Sequence, residues 1–201
     1  MPMMLKRYLC MLLGALLLTA CAAENPVVLP PITFKRYAPI YLNVASIQII
    51  DEYKSPMKPP NVEHLLPYSP GDAVRIWIKD RLRPVGPEKS LHVIIKDGSV
   101  MASVIHSDSS IEDFLTIDQD KRYDAKLDLE LRIYGPSNAL SEASVSVSAK
   151  RSITLSENAS AYQRDKQFRA MIADMMEQVN AELEKNMYMH MGNFINYSQT
   201  P

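Results

Sequence analysis

The residues that could carry chemistry are two cysteines, four histidines and 23 carboxylates, and few stand at a spacing that chemistry uses. His64, His92, His106 and His190 are scattered, and none has a second histidine or cysteine nearby in the chain, the pairing on which zinc sites draw. There is no Gly-rich phosphate loop, no G-x-S-x-G elbow and no H-E-x-x-H motif. Residues 106–122 are acidic, with Asp108, Glu112, Asp113, Asp118 and Asp120, but lack the glycine of an EF-hand calcium loop. The remaining acids alternate along strands or sit in loops, where they keep the chain soluble. The expectation is a protein that is not an enzyme, with no catalytic residue, no metal and no cofactor.

One residue does stand in an informative setting. Lys6 and Arg7 open the chain without an acid, Tyr8–Leu18 is apolar, and Leu18-Thr19-Ala20-Cys21 follows. A basic start, a short apolar run and small residues make a secretory signal. The run falls short of the roughly 20 residues that cross a bilayer. Leu18-Thr19-Ala20-Cys21 resembles the lipobox of bacterial lipoproteins. That resemblance implies cleavage before Cys21, a diacylglycerol thioether on its sulfur and an acyl group on its new amino terminus. Several acyl chains anchor lastingly where one binds only marginally. Ala22, where an aspartate would retain the protein at the inner membrane in the enterobacterial pattern, implies sorting to the outer membrane, facing the periplasm.

Loss of residues 1–20 takes Lys6 and Arg7 away from a net charge of −1 and leaves −3. So mild an acidity is no footprint for nucleic acid. Cys10 departs with the signal and Cys21 goes to lipid, so no disulfide is expected in the folded part. The remaining length suits one domain with its own core. The reading divides the chain into a signal at 1–20, a lipidated Pro-rich tether at 21–39 and a single domain at 40–195.

The apolar periods predict the elements. Residues 40–50 read as a strand whose apolar face changes near Ala45 and Ser46. Residues 52–70 are Pro-rich with Met57, Val62, Leu65 and Leu66, a long loop expected to pack down on the domain. Ser69, Pro70 and Asp72 form a helix start, Val74, Trp77, Ile78 and Leu82 its stripe, and Arg83-Pro84 its end. Residues 91–105 read as one long strand bulged at Asp97-Gly98, a dipeptide that also suits a hairpin. Tyr123–Tyr134 and Ala143–Leu155 alternate strictly and should pair antiparallel. Ser160 caps a last helix with Phe168, Ile172, Met175, Met176, Val179, Leu183 and Met187 on one stripe. At about 45 Å it is expected to overhang a small sheet at its C-terminal end, exposing Tyr188, Met189 and Met191. The fold expected is α+β: a four-stranded, mainly antiparallel sheet with two helices on one face, in the order β-α-β-β-β-α.

That order behind a lipobox resembles two groups of envelope lipoproteins: the ABC-type transport auxiliary lipoproteins and the lipopolysaccharide-assembly lipoprotein. More closely the chain looks like an uncharacterised proteobacterial lipoprotein family, on Pro60-Asn61-Val62-Glu63-His64-Leu65, Trp77-Ile78-Lys79-Asp80-Arg81-Leu82 and Asn180-Ala181-Glu182-Leu183-Glu184. The resemblance implies an accessory lipoprotein that binds a protein partner in an envelope transport or assembly machine. Cys21 would hold the membrane, and Phe114, Leu115, Met189 and Met191 are candidate partner contacts. The alternatives are a lipid carrier with a groove between helices and sheet, and a structural part of a secretion or cell-wall complex.

Overall fold

The computed structural model describes residues 29–105, 120–137 and 140–199, and the packed unit begins at Pro31. Its elements are β1 (Ile40–Leu42), β2 (Ser46–Asp51), α1 (Pro70–Arg81), β3 (Leu82–Pro84), β4 (Ser90–Asp97), β5 (Val100–Ile105), β6 (Asp120–Tyr134), β7 (Ser141–Leu155) and α2 (Ala161–His190).

The class is α+β with a mostly antiparallel sheet, but that sheet has five strands, not four, and a second, two-stranded sheet stands beside it. The strand expected over residues 40–50 is cut in two. Val44 N–H turns back to the Leu42 carbonyl at 2.8 Å, and Ala45 N–H goes to the Glu88 carbonyl at 2.8 Å. β1 then pairs with β3 and β2 with β4, both parallel. The change of apolar face near Ala45 marks this break.

The stretch at 91–105 is one lane interrupted by a bulge, not a hairpin. β4 and β5 both run antiparallel to β6, β4 along its C-terminal half and β5 along its N-terminal half. The register slips once, between Ile95 and Asp97. β7 pairs with β6 over its whole length, Leu127 opposite Ala149 and Leu131 opposite Val145, as alternation predicts.

Period two places Leu127, Leu129, Leu131 and Ile133 in one buried face, joined there by Val145, Val147 and Ala149 of β7. The stripes of α1 and α2 close over that face as a single core. Both helices start in capping boxes, Ser69 with Asp72 and Ser160 with Gln163. Each box satisfies backbone N–H groups that the first turn would otherwise strand. Gly86 lies where β3 leaves toward β4; a Cβ there would stand 2.4 Å from the Asn43 carbonyl carbon, so only glycine allows this approach.

Two boundaries differ from expectation. The tether does not reach residue 39: Ile32 and Phe34 are buried, and residues 31–39 form a strap. Phe34 N–H donates to Asp80 Oδ2 at 2.8 Å, Thr33 Oγ1 donates to the same oxygen at 2.9 Å, and the Arg81 guanidinium donates to the Ala38 carbonyl. Apolar spacing over so short a segment gave no sign of this, because its partners are distant in sequence. Nor does α2 overhang at its C-terminal end. β6 and β7, at 15 residues each, span about 50 Å, as long as the helix. Met187 and Met191 are both fully buried, and Gly192–Ile195 folds back so that Ile195 bridges Leu42 of β1. The exposed end is the N-terminal one, residues 161–167.

Candidate functional site

Cys21, Phe114 and Leu115 lie outside the described residues. Met189 is 57% exposed, but Met191 is fully buried. Met191 is therefore a core residue and not a partner contact: it caps α2 and sends its N–H to the Met187 carbonyl. The histidines stay apart. His64 and His190 are exposed, and His92 stacks on Tyr134 with ring centroids 4.6 Å apart. Among the described residues no group of histidines, cysteines and carboxylates could hold a metal ion.

The outer face of the sheet is paired charge. Lys126 bridges Asp97 at 2.9 Å and Asp128 at 2.6 Å, and Arg132 grips Glu130 at 2.7 Å beside Lys96. Arg132 and then burial and Lys96 act on Glu130, and the net effect holds its carboxyl below the usual range. Hydrogen bonds from Ser152 and Arg122 do the same for Asp124. Exposed pairs of this kind add little stability each. They leave these charges paired with one another across the outer face.

The Pro-rich loop is held by a buried carboxylate. Glu63 accepts from Tyr53 Oη at 2.7 Å, Ser55 Oγ at 2.5 Å and Val100 N–H at 3.1 Å. Pro60 and Val62 exchange backbone hydrogen bonds with Ala102 and Val100, so the loop runs briefly as an extra rung along β5. Packing of this loop was expected; pairing was not, because its prolines argue against a ladder. Burial pushes the Glu63 carboxyl up, but the hydrogen bonds from Ser55, Tyr53 and the backbone outweigh it and hold it below the usual 4.5. A depressed folded value adds stability above the unfolded value, and that stability is lost as pH falls through the folded one. Glu63→Gln is accordingly expected to cost about 1.5–3 kcal/mol near neutrality. The gap to the parent should narrow as pH falls below about 4.5, read from denaturant melts across pH. A gap independent of pH would remove this role.

Next to that loop lies an apolar groove of about 470 Å³. Pro59, Pro60, Val62 and Leu66 form one wall, and Ala102 and Val104 of β5 with Tyr123 of β6 form the floor. The first two turns of α2 form the other wall, ending at Phe168, which meets Tyr123 edge-on at 4.8 Å. Lys121, Arg164 and Asp165 supply its charges. The Pro-rich loop was expected to pack on the domain; nothing local pointed to the opposite wall. Lys121 and Arg164 are unremarkable in sequence, and only the pairing of β6 with β5 and the lie of α2 bring them together.

No family model matches this chain and no curated protein does. Among solved structures it is similar to a Xanthomonas campestris protein of the DUF330 family, with a TM-score of 0.36 and 11% identity over 77% of this chain and 89% of that one. So loose a likeness carries no argument, and function is read from this chain's own residues. No helix among the described residues is long and apolar enough to cross a membrane.

Proposed function

We propose that this chain is a lipid-anchored accessory lipoprotein of the bacterial envelope, held through Cys21 on the periplasmic side of the outer membrane, where it binds a component of a transport or assembly machine. The observation that supports this reading is the combination of a lipobox-like Leu18-Thr19-Ala20-Cys21 with a domain that carries paired charges on its outer face and an open apolar groove beside the Pro-rich loop. Lipid binding is a second reading, favoured by that groove, whose walls are mostly hydrocarbon.

Cys21→Ser is expected to move the protein from the membrane pellet to the soluble fraction after a high-salt and carbonate wash. Thermal stability should not change, because the core lies between Ile32 and Ile195. A Cys21→Ser protein that still pelleted would end the anchor reading. Crosslinking in intact envelopes followed by pull-down tests the partner: recovery of no transport or assembly component would count against it.

A further inference from the structure

The groove has a definite chemistry. Its volume of about 470 Å³ lies within the roughly 300–1,000 Å³ of small-ligand sites, and its walls at Val62, Leu66 and Phe168 are apolar. At its edge stand two cations, Lys121 and Arg164, and neither forms an ion pair with a described residue. Lys126, Arg132, Arg75 and Arg81, by contrast, each have a carboxylate partner. One acid, Asp165, shares the groove. The start of α2 lies in the groove's other wall, with Ala161 lining it and no acidic residue in its first turn. Apolar walls with an unpaired cationic edge match an amphiphile with an anionic head.

The strap says where such a molecule would come from. Arg169, one residue beyond Phe168 of the groove wall, donates to the Pro31 carbonyl at 3.2 Å. The polypeptide therefore enters the domain at the groove's end of α2. Ten residue steps separate Pro31 from Cys21, and they reach at most about 35 Å. If Cys21 is acylated, that length bounds how far the chain's entry at Pro31 can stand from the bilayer surface. Leu65 and Val104, which line it, are 69% and 42% exposed, as suits a mouth that meets lipid.

We infer that this groove takes one acyl chain of an anionic phospholipid from the bilayer that holds Cys21, with the phosphate against Lys121 and Arg164. This rests on the anchor reading above for the source of the lipid and on the groove alone for its chemistry.

The test reconstitutes the full acylated chain into phosphatidylcholine vesicles, with and without phosphatidylglycerol, the diazirine being carried on an acyl chain of one lipid at a time. After illumination the labelled peptides are read by mass spectrometry. Label is expected in peptides containing Pro59–Leu66 and Ala161–Phe168 when phosphatidylglycerol carries the diazirine, and should fall about tenfold in Lys121→Glu/Arg164→Glu. Ala102→Trp, which fills the groove, should abolish it. If that variant fails to melt cooperatively, Val104→Asp at the exposed rim takes its place. Unlabelled groove peptides, equal label from phosphatidylcholine, no loss in the double variant, or a groove crosslinked to residues 106–119 of the chain itself would each overturn the inference. An amino-terminal peptide without acyl mass would instead overturn the anchor reading and with it the source of the lipid, while the groove's chemistry would still be reported by the same vesicles added to free protein.

Discussion

Trp77→Ala is expected to destabilise the domain by about 3–5 kcal/mol, lowering the melting temperature by on the order of 10 °C. Trp77 is fully buried at the junction of α1, α2 and the sheet, and its Nε1 donates to Asn180 Oδ1 at 2.9 Å. Asn180 is itself 2% exposed. Truncation therefore opens a cavity and strands a buried amide, two costs with different remedies. Trp77→Phe keeps most of the volume and loses the hydrogen bond, at about 1–3 kcal/mol. Adding Asn180→Leu to Trp77→Phe removes the stranded amide and should restore part of the loss. A double-mutant cycle by denaturant melts measures the coupling; a coupling of zero would mean the indole acts by volume alone.

Phe34→Ala should cost a similar amount, about 3–5 kcal/mol. Phe34 is fully buried although it precedes every described helix and strand. Its loss should loosen the strap, because what remains is polar and largely at the surface: Asp80 to Thr33 and Phe34, Arg81 to Ala38, Arg169 to Pro31, and Arg36 and Tyr37 to Glu177. Limited proteolysis would then cut within residues 31–39 while the rest of the domain stayed protected. A variant as stable and as resistant as its parent would show that residues 31–39 belong to the tether after all. The point bears on function, since the strap carries any pull on Cys21 into the two helices instead of into a loose linker.

What was legible in the sequence followed from short-range physics. The capping boxes at Ser69 and Ser160, the alternation of β6 and β7 and the helical stripes around Trp77 and Met175 are local patterns with one outcome each, and they are where they were expected. Residues 91–105 run as one lane along β6 and not as a hairpin, with the register slip at Lys96, just before the Asp97-Gly98 pair. Errors came where the answer depended on a remote partner. Met189 and Met191 look alike at the end of one helix; Met191 is core because Ile195 returns to pair with Leu42. The overhang expected at the C-terminal end of α2 is absent because β6 and β7 are as long as the helix. Residues 31–39 read as tether in sequence because prolines look the same in a spacer and in a segment pinned by Asp80.

By itself, then, the sequence determined the element types, their caps, the buried face of the long strands and the lack of any catalytic motif, and it singled out Cys21. Periodicity and capping act within a few residues, so one chain suffices to read them. Tertiary structure decided the rest: the parallel pairings of β1 with β3 and β2 with β4, the fate of Met191, the buried clamp on Glu63, and a groove assembled from four separate stretches. Lys121 and Arg164 are 43 residues apart, and nothing local relates them. They share an edge because β6 pairs with β5 beneath the start of α2, and only the closing of the whole core puts them there.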